Sequence, residues 1–173
     1  TGLGVAPNTI GHIFGIFKAY STRVGGGPFP VELFDETGDT IRHIGNEYGA
    51  VTGRNRRCGW LDLVALKYAI MINGVTDLVM MKGDVLDGFE TIKVCTAYTK
   101  DGVTVTDMPY DTAGWEPVYE EVPGWYTPLT EVRTEAQFPR AFADYIAYIE
   151  QATGTPIRIV SVGPDREATI IRA

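Results

Sequence analysis

The chain has 173 residues, 45% of them hydrophobic, and sets 15 Lys and Arg against 22 Asp and Glu for a formal net charge of -7. That length suffices for one domain with a real core or for part of a larger enzyme, and the acidic balance argues against general nucleic-acid binding, which takes a broad basic surface. No apolar run approaches the roughly 20 residues of a bilayer-spanning helix, and no charged segment followed by an apolar one opens the chain, so the expectation is a soluble cytoplasmic protein with neither membrane nor nucleic acid as partner.

The opening TGLGVAPNT is a Gly-rich connection without an initiator Met, which suggests a chain cut from something longer. From Thr9 to Ala19 the residues Ile10, Ile13, Phe14, Ile16 and Phe17 follow helical spacing, with Asn8 or Thr9 as N-cap, and this predicted helix carries His12. Tyr20 to Val24 reads as a short extended piece. Gly25, Gly26, Gly27, Pro28 and Pro30 then force an irregular loop, since neither a Gly run nor Pro suits a helix interior; the run lacks the GK[ST] ending of a phosphate-binding P-loop. His43 falls in an expected hairpin, and both histidines read as structural or exposed.

Between Gly45 and Asp62, GNEYGAVTGRNRRCGWLD places Arg54, Arg56 and Arg57 among helix-breaking glycines. Arg offers a planar fork of donors matched to carboxylate or phosphate, and Gly49 and Gly53 allow tight bending and close approach to a ligand. Either a small anionic ligand or a solvated basic loop fits these residues taken alone. Cys58 and Cys95 lie far apart without metal-binding spacing and read as ordinary thiols.

Trp60 to Ile72 is apolar on nearly every face and predicts a helix buried between layers. Leu78 to Met81 reads as a buried parallel strand ending at Lys82, Gly83 and Asp84. Ile92 to Tyr98 and Val103 to Thr106 flank Lys100, Asp101 and Gly102 as a hairpin. Asp107 to Leu129, rich in Pro and Trp, reads as a long ordered loop. Gln137 to Thr153 is an amphipathic helix with Phe138, Ala141, Phe142, Tyr145, Ile146 and Ile149 on one face and Gly154 after its end. Ile157 to Val160 and Ala168 to Ile171 are strands. The alternation predicts an α/β sheet.

In open α/β sheets ligands bind beyond the carboxyl ends of strands, where Lys82-Gly83-Asp84 and Ser161-Val162-Gly163 should sit. A carboxylate at Asp84 can accept hydrogen bonds from the N1 and N2 donors of guanine, an edge that adenine does not present; it can equally cap the following turn. The stem of Lys82 can cover a base face while its ammonium stays wet.

Five segments, STRVGGGPFP at 21–30, GNEYGAVTGRNRRCGWLD at 45–62, KGDVLDG at 82–88, PGW at 123–125 and SVGPDR at 161–166, resemble in order and spacing the C-terminal part of the adenylosuccinate synthetase family. The resemblance implies a single C-terminal portion of a mostly parallel-sheet, P-loop-like α/β synthetase with an antiparallel hairpin and flanking helices. It further implies a homodimeric GTP-dependent ligase in purine biosynthesis, joining IMP and L-aspartate into adenylosuccinate on the branch to AMP. Ala50, Val51, Thr52, Gly53, Arg54, Asn55 and Arg56 would close over aspartate, Val24 and Arg54 would meet IMP, and Arg56, Lys82, Gly83, Asp84, Ser161, Val162 and Gly163 would bind GTP.

The family's phosphate loop, its catalytic base, its Mg2+ ligand and an assisting His have no match here, so no catalytic or metal residue is expected in this chain, and alone it should not turn over. Val51 stands where the family has a second Thr, which implies weaker aspartate affinity, and Val31 replaces the Thr usual after GPFP. A separate non-catalytic guanine-nucleotide-binding module and a structural or dimerisation piece are the alternative readings.

Overall fold

Leu78, Val79 and Met80 form a run without a polar side chain, and in the computed structural model, which describes residues 2–6 and 9–172, they are buried in the middle of a sheet. In chain order the elements are β1 (Phe14–Lys18), β2 (Ser21–Arg23), α1 (Glu36–Ile44), β3 (Arg57–Gly59), β4 (Leu61–Asp62), α2 (Leu63–Asn73), β5 (Asp77–Met81), β6 (Thr91–Lys100), β7 (Val103–Val105), β8 (Glu116–Pro123), α3 (Arg140–Thr153), β9 (Ile157–Ser161) and β10 (Thr169–Ile171). The main sheet runs β1-β5-β9-β10; the first three strands are parallel and β10 is antiparallel to β9. A second sheet centres on β6, which pairs in parallel with β4 and antiparallel with β7 and β8. A two-stranded ribbon, β2 with β3, sets Arg23 opposite Arg57. The α/β class with a mostly parallel main sheet and the β6–β7 hairpin agree with the sequence reading.

The core wraps around Trp125, whose ring lies 4.7 Å from Phe142 and 5.4 Å from Tyr145. Trp125 donates its indole N–H to Asp87 Oδ1 at 2.8 Å, and Tyr145 donates to the Ala19 carbonyl at 2.7 Å, so the polar tips of both buried rings are satisfied. α3 buries Phe142, Tyr145, Ile146 and Ile149, the face expected from periodicity, and ends on Gly154 in the left-handed region at φ 67°.

Four segments differ from their sequence reading. The stretch expected as a helix over Thr9–Ala19 instead contains β1, hydrogen-bonded in register with β5 from Phe14–Asp77 to Lys18–Met81; His12 precedes the strand, and the proposed cap Asn8 lies outside the described residues. Gly15 lies flat against Val75 and Leu78, a packing a strand permits. His43 is in α1, not a hairpin: Asp35 caps this helix by accepting from the Gly38 amide at 3.1 Å.

The Trp60–Ile72 helix begins only at Leu63, because Asp62 caps it by accepting from the Ala65 amide at 3.0 Å while Leu61 and Asp62 pair with β6. It is not buried between layers: Tyr68, Met71 and Ile72 are exposed. Within the supposed loop 107–129 lies β8, an edge strand whose Pro117 and Pro123 sit near its ends, where the ladder tolerates a missing donor.

Candidate functional site

The arginine-rich segment leaves α1 at Gly45 and returns as β3. Tyr48 and Asn55 form an antiparallel bridge, Gly49 and Arg54 share a 2.8 Å backbone bond, and Gly53 turns the tip at φ 63°. The loop Ala50–Asn55 is therefore a small hairpin standing in solvent, with Val51 at its tip 97% exposed. Thr52 turns its hydroxyl inward, where it accepts from the Arg54 amide at 3.4 Å.

The three arginines have three different environments. Arg54 is exposed, and its guanidinium makes no hydrogen bond or ion pair among the described residues, so its fork of donors is free for an anion. Arg56 donates to Glu47 Oε2 at 2.7 Å. Arg57 is structural: it grips Glu32 with Nε at 2.8 Å from each oxygen and with Nη2 on Oε2, stacks over Phe29, and donates to the carbonyls of Gly25 at 3.2 Å and Gly27 at 2.8 Å. The irregular glycine loop that follows Val24 is thus held by the arginine segment itself. Val24 is exposed at the mouth of that loop.

Glu47, which no sequence signal singled out, is fully buried and carries four donors. Lys18 Nζ lies 2.7 Å, Tyr20 Oη 2.5 Å and Lys82 Nζ 3.0 Å from Oε1, while Arg56 occupies Oε2. Burial alone would push this carboxyl up, but hydrogen bonds from Lys18, Tyr20, Arg56 and Lys82 outweigh it and hold the group at about 2. The hub was illegible because its donors come from β1, the segment after it, the hairpin and the end of β5.

Lys82 sits in the left-handed region at φ 61°, and its ammonium, expected to stay wet, is instead bonded to Glu47 and to the Gly45 carbonyl at 2.5 Å. Its stem lines a cavity of about 610 Å³ bounded also by Gly45, Asn46, Asp84, Ser161, Gly163 and Arg166. The ends of β5 and β9 thus meet at one site. Gly83 contributes packing: a Cβ there would come 2.8 Å from the Phe142 ring.

Asp84 is half-buried, no side chain hydrogen-bonds it among the described residues, and burial pushes its carboxyl up. The capping alternative does not describe it, since the acceptor in its turn is its carbonyl, which receives the Asp87 amide at 3.2 Å. Across the cavity Ser161 donates its hydroxyl to the Gly163 carbonyl at 3.0 Å. Val162 turns its side chain into the core and gives its amide to the Ala168 carbonyl at 2.9 Å, leaving Ser161 and Gly163 to face the cavity.

Cys58 and Cys95 are buried, unpaired thiols. Val31 is buried with Val64, Cys95 and Tyr98. Among the described residues no group of three His, Cys, Asp or Glu converges in a way that fits a divalent cation, and no helix is long and apolar enough to cross a membrane.

A half-buried carboxylate and a Ser-x-Gly turn line one cavity, and the hairpin carries a guanidinium without a partner among the described residues; groups of these kinds are matched by N–H donors of a polar ring and by anions. A family model described as adenylosuccinate synthetase matches residues 1–170. The adenylosuccinate synthetases of Parabacteroides distasonis and Bacteroides thetaiotaomicron are 61% and 63% identical over 99% of this chain, which spans 41% of their length. A solved structure, the fully ligated adenylosuccinate synthetase from Plasmodium falciparum, superposes with a TM-score of 0.93 at 36% identity, covering 99% of this chain and 42% of that one. Sequence motifs, family model and fold agree on one assignment: this chain belongs to the adenylosuccinate synthetase family.

Proposed function

We propose that the chain is the C-terminal portion of a GTP-dependent ligase that joins IMP and L-aspartate into adenylosuccinate in the cytoplasm, and that it supplies the aspartate hairpin (45–62) and the guanine pocket (82–88 and 161–166). The observation that carries this reading is Asp84, a half-buried carboxylate that forms no ion pair among the described residues and feels Lys82 only through its charge, lining a cavity of about 610 Å³ opposite Ser161 and Gly163. A carboxylate so placed is matched by two adjacent N–H donors, as on guanine N1 and N2, and is left unpaired by adenine. The Gly163 turn brings backbone close to the purine carbonyl.

In the reaction the γ-phosphoryl group of GTP passes to the 6-oxygen of IMP, giving GDP and 6-phosphoryl-IMP. The aspartate amino group then attacks C6 to form the C6–N bond, the C6–O bond breaks with its electron pair passing to the departing phosphate, and the nitrogen gives up a proton, leaving adenylosuccinate. Within this chain Arg54 and Thr52 hold the aspartate carboxylates, Ala50, Val51, Gly53 and Asn55 complete the hairpin around them, with the Gly53 amide closing the turn on the Gly49 carbonyl at 2.8 Å, and Arg54 with the Val24 backbone meets the IMP ribose. Arg56 stands between hairpin and nucleotide. Bound Mg2+ would supply neutralisation of the transferring phosphate charge in such a reaction; its ligands and the catalytic base would belong to the remainder of the enzyme, a homodimer on this reading.

The test is to follow GDP and adenylosuccinate formation by the intact polypeptide that contains this chain. Turnover requiring GTP, IMP and aspartate together, unsupported by ATP, is expected. Failure to form adenylosuccinate with all three substrates and Mg2+ present overturns the reading, and turnover by the 173-residue chain alone overturns its status as an incomplete part.

A further inference from the structure

Three cations, Lys18, Arg56 and Lys82, share the single carboxylate of Glu47, each within 3.0 Å of one of its oxygens. The backbone of Glu47 is pinned as well: its amide donates to the Arg42 carbonyl at 2.9 Å and its carbonyl accepts from the Arg56 amide at 2.9 Å. Arg42 of α1 in turn donates to the Arg56 carbonyl at 2.9 Å. Arg56 belongs to the hairpin and Lys82 to the cavity, and among the described residues no other side chain bonds to both. One negative charge against three positive ones leaves the cluster with surplus positive charge, which suits a site between two anionic substrates.

We propose that Glu47 is a positioning residue for the ligation, tying Arg56 of the aspartate hairpin and Lys82 of the guanine pocket to opposite oxygens of one buried carboxylate so that the two substrate sites share one geometry. This rests on the substrate assignment made above. Glu47 itself touches neither substrate; it sets where the two cations point. A Gln at this position has nearly the same shape, but its amide nitrogen must face a cation on one side or the other, donor against donor. Arg56 or Lys82 is then released, and the carboxylate's attraction for both is lost.

The test uses the intact polypeptide and compares wild type with Glu47→Gln in steady-state kinetics, alongside thermal unfolding. The KM values for aspartate and for GTP are expected to rise together, each about tenfold or more, as befits the loss of charge-assisted hydrogen bonds, with a smaller change in kcat. A merely structural role would lower stability and the amount of active enzyme while leaving both KM values in place; that result, or a rise in one KM only, overturns the proposal. Where Glu47→Gln does not fold, Glu47→Asp, which keeps the charge but withdraws it by one methylene, is measured in the same way with the same criterion. An inactive wild-type polypeptide would refute the substrate assignment, whereas active wild type with an unaltered variant refutes only the role of Glu47.

Discussion

Replacing Asp84 by Asn separates binding from folding. In the unliganded protein the carboxylate is half-buried, has no cation bonded to it among the described residues, and burial pushes its pKa up. A folded-state pKa above the unfolded value means that the ionised group disfavours folding at neutral pH, so Asp84→Asn should leave the unfolding midpoint unchanged or raise it. With guanine bound, the same carboxylate would accept two N–H donors; the Asn amide can accept one and opposes the other with its own NH2 group. Hydrogen bonds to a charged acceptor contribute about 1.5–3 kcal/mol each, so losing one and weakening the other costs roughly 3 kcal/mol, about 100-fold in affinity. Isothermal titration of GDP into the intact polypeptide, paired with thermal unfolding in the absence of nucleotide, reads both quantities. Weakened folding with unchanged GDP affinity would refute the argument, because Asp84 would then be a structural group.

Acid stability should expose Glu47. Its folded pKa of about 2 lies below the ordinary 4.5, so it stabilises the fold above pH 4.5, and that contribution fades as pH falls from 4.5 toward 2. A gap of that size corresponds to on the order of 3 kcal/mol, reduced to about 2 kcal/mol by solvent around Arg56 and Lys82, whose side chains are 31% and 34% exposed; Glu47→Gln should flatten the urea midpoint across this window, and an unchanged slope counts against the hub. Gly83→Ala should cost about 1–3 kcal/mol by urea denaturation, since the new Cβ would sit 2.8 Å from a Phe142 ring already wedged against Trp125 and Phe138; an unaltered midpoint would mean the ring yields freely. Arg54→Ala should leave stability within about 0.5 kcal/mol yet raise the KM for aspartate. Arg57→Ala, by uncoupling Glu32 and the carbonyls of Gly25 and Gly27, should lower stability and speed proteolysis within 24–30; equal effects of the two variants on stability would contradict their separate environments.

What the sequence made legible were segments whose pattern answers to one partner. The buried strand at 78–81, the hairpin around Asp101-Gly102 and the wet and dry faces of α3 each follow from local periodicity or turn chemistry. β1 has no local signature of a strand, because Ile10, Ile13, Phe14 and Phe17 repeat at helical intervals while β5, which decides the matter, lies some sixty residues away in the chain. β8 carries Glu116, Glu120 and Glu121 and two prolines because it has an open edge, and such strands look like loops when read alone. The strand-end residues Lys82, Asp84, Ser161 and Gly163 were found from a general rule about where sheets bind ligands, and they line one cavity. Arg57 could not be told from Arg54 by residue type, since the difference lies in Glu32, a neighbour contributed from another segment. Glu47 stood in plain view within GNEYG, but a lone Glu on a loop has no signature until its four donors converge.

Gly83 rests directly on Phe142, and Phe142 rests on Trp125 at the centre of the core. The strand end that would read the purine therefore has no foundation separate from the aromatic interior. Loosening Trp125 or Phe142 by heat, denaturant or a smaller side chain would tilt Asp84 before the sheets come apart. Discrimination between bases would then decline ahead of global unfolding, so that fidelity, rather than solubility or activity, would be the first property to register damage to the core.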